Sequence, residues 1–307
     1  MGILMIRSSR QTTFARTFNG LVGALILSTL LWPLSLNLRG ATPSQGRSSN
    51  PPIIIAHRGG VVDAKHSENS LSGLEEAIRR GYTHVEVDAR CTADGFVVCF
   101  HNDSLEDEAG VAGRVSQMPL AELRKIILTR SRQPIPTFAE FSAKCANRID
   151  LMVDLKGCPD DFIEGYATQI ETALTENNLL AKALILINKT PVNNQEKIVP
   201  HFYGKCRVSW RQNLADTQRA ALEAPAFRQR YFIFNHGDDF TAASIKAFQQ
   251  LGLEVVVSIN VQHYPSASAI REGNRHVAEM LGFGVDGLQI DSIYDRALFE
   301  PSKTQTR

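Results

Sequence analysis

The sequence predicts an α/β fold in which parallel strands alternate with helices and close into a (β/α)8 barrel. Short apolar runs alternate with amphipathic stretches over residues 52–300, which is the pattern of repeated strand–helix units. Roughly 240 residues is the usual size of such a barrel. Several of the apolar runs end in ionisable residues, and functional sites lie at the carboxyl ends of barrel strands.

Nine apolar runs predict the strands, because turn or helix signals bound each of them. They are IIIAH (53–57), HVEVDAR (84–90), FVVCFH (96–101), LMVDLK (151–156), ALILIN (183–188), RVSW (207–210), YFIFN (231–235), EVVVSIN (254–260) and GLQID (287–291). Only CTADG separates the second and third runs, and its Asp94-Gly95 pair is a hairpin signal. A short connection in place of a helix indicates an elliptical or irregular TIM barrel.

Amphipathic patterns predict helices between these strands. The first, SLSGLEEAIRRG, begins at Ser70, a helix-capping residue, and ends at Gly81. The others are PLAELRKII (119–127), TFAEFSAKC (137–145), DDFIEGYATQIETALTENN (160–178), TAASIKAFQQLG (241–252) and SAIREGNRHVAEMLG (268–282).

The N-terminal residues differ in composition from the rest. Residues 1–20 are basic without an acidic residue, and residues 21–38 contain no ionisable side chain. Basic residues ahead of an apolar run keep the start of a chain in the cytoplasm and send the remainder across a membrane. We therefore interpret residues 1–20 as a cytoplasmic segment, 21–38 as a signal sequence or transmembrane anchor, 39–51 as a linker and 301–307 as a tail.

The apolar run is long enough for a tilted spanning helix, and no Ala-x-Ala cleavage signal follows it. Trp32-Pro33 interrupts the run near its end. The sequence favours an uncleaved single-pass anchor, with the barrel outside the cytoplasm, over an exported, periplasmic protein.

Composition excludes two classes of protein. A formal net charge of +1, without a basic stripe or tail, excludes a nucleic-acid-binding protein. The five cysteines show no C-x-x-C spacing, so a zinc site is not expected. We interpret Cys91 and Cys99 as small buried hydrophobic residues and assign no disulfide.

Two carboxylates point to a cation site. Glu86 and Asp88 lie two residues apart in one strand, so both point to the same face, while Val85 and Val87 take the other. Paired carboxylates repel each other unless a cation lies between them. The alternative interpretation is a strand with a solvated polar face.

Other strands carry ionisable groups at or near their carboxyl ends, which meet at one mouth in a parallel barrel. The convergence favours a functional site over separate buried polar groups. Its members are His57, Arg58, Glu86, Asp88, His101, Asp154 and Lys156.

The chemistry of these residues indicates attack on a phosphodiester. Three carboxylates without a cysteine ligand suit Mg²⁺ or Ca²⁺. Arg58 and Lys156 can bind an anion. His57 and His101 can stand on opposite sides of a bound group, one as base and one as acid. Asp291, at the end of the last run, either orients a residue at the rim or caps a helix. Each of the six other histidines is interpreted as a surface or capping residue.

The motifs IAHRGG, ENSLSGLEEAIRRGYTHVEVDARCTADGFVVCFHND, RVSQMPLAELRKI, IPTFAEF, LMVDLKG, VVVSIN and GVDGLQID resemble, in this order, those of the glycerophosphodiester phosphodiesterases. The resemblance spans about residues 53–295. It implies an elliptical TIM barrel, a divalent cation, and hydrolysis of glycerophosphodiesters to glycerol phosphate and an alcohol.

By motif position, His57 and His101 resemble the family's acid–base pair and Arg58 its phosphate contact. Glu86 and Asp88 resemble its metal ligands.

Two further positions match the family's pattern or depart from it. Glu68 and Asn69 fall on its Glu-Asn motif, which the resemblance implies lies near the metal. Asp154 stands where the family usually has a glutamate, and its side chain is shorter by one methylene. The shorter side chain has one of three consequences: the affinity for the metal falls, the ion is held through a water molecule, or the strand lies closer to the ion.

Three functions remain open at this point. The first is hydrolysis of glycerophosphodiesters to glycerol 3-phosphate by a tethered or exported enzyme. The second is a lysophospholipase D or a cyclising phosphodiesterase acting on membrane lipid, which a tether favours. The third is an anchored binding barrel with weakened catalysis, motivated by Asp154 and altered loops.

Overall fold

A computed structural model describes residues 51–187, 192–224 and 226–299 of the 307-residue chain. The predicted basic segment, apolar segment and tail lie outside the described residues, as does all but the last residue of the predicted linker. Within the described ranges, no helix combines the length and the apolar character needed to cross a bilayer.

All nine predicted strands are present. They are β1 Ile53–Ala56, β2 His84–Cys91, β3 Val97–Cys99, β4 Asp150–Gly157, β5 Leu184–Leu186, β6 Arg207–Trp210, β7 Tyr231–His236, β8 Val255–Ile259 and β9 Gly287–Ile290. Eight of them are parallel and follow one another in the order β1-β2-β4-β5-β6-β7-β8-β9. The parallel pairing of β9 with β1 closes the barrel. The structure therefore confirms the predicted (β/α)8 architecture.

Helices surround the barrel. In chain order the described ones are α1 Leu71–Arg80, α2 Glu106–Ala109, α3 Leu120–Leu123, α4 Phe138–Cys145, α5 Ile163–Glu176, α6 Val192–Phe202, α7 Leu214–Glu223, α8 Phe227–Arg230, α9 Ala242–Gln250, α10 Ala269–Phe283 and α11 Arg296–Phe299. Ser70 caps α1 by accepting a hydrogen bond from the Gly73 N–H, and Gly81 ends it in the left-handed region, as predicted.

The helix predictions were incomplete. The helix expected over 119–127 is only one turn long, and the sequence analysis missed α6 and α7. The buried residues of α7 are Thr217 and Ala220, which are small or polar. Such a helix buries few large apolar side chains, so no run of large hydrophobic residues marks it in the sequence.

The third apolar run forms the second arm of the hairpin that Asp94-Gly95 predicts, so it is antiparallel and is not one of the parallel strands of the barrel. β3 is antiparallel to β2, with Ala89 opposite Cys99 and Cys91 opposite Val97. β2 is longer than β1, and β1 pairs only with the first two residues of β2. The rest of β2 projects above the barrel, and β3 covers its edge there. The hairpin returns the chain to the mouth, where the Phe100 N–H donates to the Asp88 carbonyl at 3.0 Å.

Side chains alternate between two apolar layers. Val85 and Val87 of β2 face the helices, while an inner cluster fills the barrel. That cluster consists of Ile55, Met152, Leu184, Leu186, Phe232, Phe234 and Val256, with Ile53 packed against it. Cys91 and Cys99 are buried in the outer layer as free thiols, as the sequence predicted.

Candidate active site

His57 follows β1 at the mouth and is fixed by a carboxylate from β9's end. Its Nδ1 lies 2.6 Å from the Asp291 Oδ1. Because a carboxylate only accepts, Nδ1 carries the proton, and Nε2 faces Glu86 with 4.0 Å to Oε2. Burial opposes the imidazolium, but the hydrogen bond with Asp291 and the charge of Glu86 outweigh it and raise the pKa of His57. Asp291 therefore orients a residue at the rim.

The backbone after His57 turns sharply beneath Glu86. Arg58 and Gly59 have φ values of 55° and 79°. The Arg58 N–H donates to the Glu86 Oε2 at 2.8 Å, and the Gly59 N–H donates to the Glu86 carbonyl at 2.6 Å. A Cβ on Gly59 would lie 2.3 Å from the Asn69 Cα, so only glycine fits there.

The guanidinium of Arg58 lies at the rim. It forms an ion pair with Glu68 and donates to the Gln262 Oε1 at 3.1 Å. Both predicted residues are therefore at the mouth, but Glu68 engages Arg58 instead of pointing toward the acidic residues of β2.

The predicted acidic residues form one buried cluster, which we call the acidic triad: Glu86, Asp88 and Asp154. Their ligand oxygens lie within 4.8 Å of one another. Parallel pairing of β2 with β4 sets Asp88 directly opposite Asp154, and Glu86 lies two residues before Asp88 on the same face. Burial and the charge of Asp88 raise the pKa of Glu86 to about 8.

Lys156 lies among the carboxylates of the triad. Its Nζ is 2.8 Å from the Asp88 Oδ1 and 2.5 Å from the Asp154 Oδ2. The register between β2 and β4 shifts at this point: Ala89 pairs with Leu155, but the next residue, Arg90, pairs with Gly157. Lys156 is the extra residue of this irregularity, and its side chain is only 4% exposed. The predicted phosphate-binding lysine therefore neutralises part of the triad.

Asn69 ties the loop before α1 to the triad. It is fully buried, its Nδ2 donates to the Asp88 Oδ2 at 2.7 Å, and its Oδ1 accepts from the Asp88 N–H at 3.0 Å. Its φ of 55° lies in the left-handed region, which asparagine tolerates better than most residues.

His101 reaches the mouth on the return of the β2–β3 hairpin. Its Nδ1 donates to the Asn102 Oδ1 at 2.9 Å, which leaves Nε2 as an acceptor. The Arg90 Nη2 donates to the His101 carbonyl at 2.6 Å. Burial lowers the pKa of His101 to about 4, although the charge of Asp88 opposes this shift. Sequence reasoning did not identify Arg90.

The far wall of the mouth carries residues that sequence reasoning assigned to the surface or did not single out. Arg211 follows β6, His236 ends β7, and His263 follows β8. The rings of His236 and His263 meet edge to face with centroids 4.1 Å apart. Single polar residues after a strand give no sequence signal that separates them from ordinary loop residues.

The geometry defines a class of protein. A closed parallel barrel gathers carboxylates, imidazoles and cationic side chains at the carboxyl-terminal mouth, which is where barrel enzymes carry their catalytic residues.

Part of the chain is similar to one family of known proteins. The model of the glycerophosphoryl diester phosphodiesterase family matches residues 57–197. Human glycerophosphodiester phosphodiesterase 1 is 32% identical over 112 residues, which are 34% of this chain and 33% of the relative. The probable glycerophosphodiester phosphodiesterase 1 of Mycobacterium tuberculosis is 40% identical over 75 residues, which are 24% of this chain and 27% of the relative. The chain thus matches about a third of the length of these relatives.

Solved structures share the fold. A glycerophosphoryl diester phosphodiesterase from Parabacteroides distasonis has a TM-score of 0.61 at 20% identity, over 80% of this chain and 85% of that chain. An Oleispira antarctica phosphodiesterase solved with the product sn-glycerol-3-phosphate has a TM-score of 0.60 at 20% identity, over 80% and 95%. The family model and the curated relatives show that this chain is similar, over part of its length, to the glycerophosphoryl diester phosphodiesterase family, and the solved structures share its fold.

Asn69→Ala removes both hydrogen bonds to Asp88 and leaves the buried Asp88 N–H without this partner. An unsatisfied buried group costs about 1–3 kcal/mol. Asn147→Ala is the matched control, because Asn147 also has a positive φ, 58°, but is exposed. In urea denaturation we expect Asn69→Ala to lower the free energy of unfolding by that amount more than Asn147→Ala. Equal losses would contradict a bridging role for Asn69.

Proposed function

We propose that this protein hydrolyses glycerophosphodiesters to glycerol 3-phosphate and an alcohol, with a divalent cation and histidine acid–base catalysis. The observation that carries the proposal is the buried acidic triad facing His57 at the barrel mouth. Similarity to the family supports the substrate class. The product bound to the Oleispira antarctica neighbour is the one expected here.

The triad fits a hard cation. The Asp154 Oδ1 is buried without a hydrogen-bond donor, and all the candidate ligand atoms of the triad are oxygens. Oxygen ligands suit Ca²⁺ or Mg²⁺. The ammonium of Lys156 against two of the carboxylates indicates that the cluster attracts positive charge. Glu86, Asp88 and Asp154 would hold the ion, which draws charge from the non-bridging phosphate oxygens.

The chain's own groups supply proton transfer and anion binding. Arg58 and Lys156 are the cations beside the triad and would contact the phosphate. Water attacks phosphorus, one imidazole of the pair His57 and His101 accepts its proton, and the other protonates the departing alkoxide. Asp291 holds the Nε2 of His57 toward the mouth, so it acts as a positioning residue.

Chelation and triad variants test the metal site. Glu86→Gln and Asp88→Asn each remove a charged ligand, so we expect calorimetric binding of Ca²⁺ or Mg²⁺ to weaken strongly. Turnover, followed by phosphorus NMR, should stop with EDTA and return with the ion. Glu75→Gln is the matched control, because Glu75 lies exposed on α1 and pairs with Arg148.

Four results would contradict the proposed reaction. Unchanged turnover in EDTA would show that the reaction needs no metal ion. A cyclic phosphate product would indicate a cyclising enzyme, and turnover of lysophospholipids without glycerophosphodiesters would indicate a lysophospholipase D. Folded protein without ion binding or turnover would indicate a binding barrel.

Histidine variants test the acid–base pair. General acid–base catalysis contributes about 10²–10⁴-fold, so His57→Ala and His101→Ala should each lower kcat by that factor while unfolding at wild-type urea concentrations. Asp291→Asn should lower kcat less and leave KM nearly unchanged. His201→Ala is the control, because His201 pairs with Glu171 away from the mouth. If His57→Ala or His101→Ala kept the wild-type kcat, the histidine replaced in that variant would have no role in acid–base catalysis.

We propose that residues 21–38 anchor the protein as a single span, with the barrel outside the cytoplasm. The basic segment before this apolar run supports that orientation. Full-length protein should fractionate with membranes and resist alkaline extraction, and its barrel should be accessible to protease from outside the cytoplasm. A soluble fraction whose mature N-terminus lies after residue 38 would show cleavage and export instead.

A further inference from the structure

We propose that Arg211 forms a second anion-binding subsite, which recognises a carboxylate or a further phosphate on the alcohol arm of the substrate. This inference rests on the proposed function and names its preferred substrate class: glycerophosphodiesters with an anionic head group. No other role at the mouth has been given to this arginine.

The strand order places Arg211 on the wall of the mouth opposite His57. Eight parallel strands close the barrel, and β6 lies four strands from β1 in either direction around it. Arg211 directly follows β6, so it lies across the mouth from His57, which follows β1. The acidic triad lies between them: β2 carries Glu86 and Asp88 next to β1, and β4, with Asp154, lies two strands from both β1 and β6. A phosphodiester bound at the triad would extend one of its two ester arms toward Arg211.

Arg211 differs from the cations beside the triad in having no carboxylate partner. Arg58 pairs with Glu68, and Lys156 pairs with Asp88 and Asp154. Among the described residues, no carboxylate oxygen lies within 4.0 Å of an Arg211 nitrogen. The side chain is exposed to solvent at the mouth, so a ligand can reach it.

Neutral groups hold the guanidinium in place. Arg211 Nη2 donates to the Asn235 Oδ1 at 2.7 Å, and the guanidinium carbon lies 5.8 Å from the centre of the Phe234 ring. Burial lowers the pKa of Arg211, but a guanidinium stays charged at any physiological pH. Five N–H donors in a planar fork match the oxygens of a carboxylate or phosphate. Among the described residues, Arg211 is thus a positioned cation without a carboxylate in direct contact.

The two histidines described on this wall carry no positive charge beside Arg211. Burial lowers the pKa of His236, and it lowers the pKa of His263 to about 4, so both imidazoles are neutral at pH 7. His236 Nδ1 lies 3.2 Å from the Ser258 Oγ, which gives this wall further neutral hydrogen-bonding groups. The charges of Asp239 and Asp154 reach Arg211 and favour its charged form.

Two matched substrate pairs isolate the head-group charge. Glycerophosphoserine differs from glycerophosphoethanolamine by a carboxylate, and glycerophosphoinositol 4-phosphate differs from glycerophosphoinositol by a phosphate. We expect the wild-type enzyme to show the lower KM for the anionic member of at least one pair. A hydrogen bond to a charged group contributes about 1.5–3 kcal/mol, so Arg211→Gln should raise that KM about 10–150-fold.

Under the same conditions, kcat and the KM of the partner without the extra charge should stay within about twofold of wild type. Arg230→Gln is the matched control, because Arg230 stacks on Tyr203 and precedes β7 at the opposite end of the barrel. An equal loss on both members of each pair would mean that Arg211 contacts the scissile phosphate, and it would overturn the inference. Turnover without any head-group preference would overturn it as well.

Calorimetry separates this inference from the proposed function. O-phosphoserine and phosphoethanolamine carry the two head groups without a scissile diester, and each can be titrated into wild-type and Arg211→Gln protein. If no diester is turned over but O-phosphoserine binds more tightly in an Arg211-dependent manner, the proposed function fails and the subsite stands. If diesters are turned over but the variant matches wild type in both assays, the subsite fails and the proposed function stands.

Discussion

Three carboxylates lie buried within 4.8 Å of one another, and the rest of the mouth is arranged around the repulsion between them. A buried charge costs several kcal/mol unless it is paired. Lys156 contacts two of the carboxylates, Asn69 donates to Asp88, and the backbone N–H of Arg58 donates to Glu86. These groups come from β4, the loop before α1 and the end of β1. The repulsion is therefore balanced by contacts that also join separate segments of the barrel.

The parts of the site that follow strand geometry could be predicted from the sequence. Side chains alternate along a strand, so Glu86 and Asp88 share a face whatever the rest of the chain does. The carboxyl ends of parallel strands share one mouth, which places Asp154 beside Asp88 once β2 and β4 are neighbours. The apolar runs were sufficient to locate every strand of the sheet.

The remaining features depend on contacts that no local pattern encodes. The hairpin of β2 and β3 is predicted by Asp94-Gly95, but the register that pairs β1 only with the start of β2 depends on two distant segments together. Lys156 turns into the triad through a register shift that depends on two strands together. The partner of Asp291 lies 234 residues away, so the same residue could equally be read as a cap. The helix α7 escaped detection because its inner face is formed by small residues.

The contact between His57 and Asp291 joins the first and the last strands of the barrel. During synthesis on a ribosome, the segment that bears Asp291 emerges after all the others, so a nascent chain already contains both histidines and the acidic residues without the group that orients His57. Barrel closure and completion of the catalytic arrangement are thus one event. In a partly made polypeptide, His57 therefore lacks the carboxylate that orients its ring.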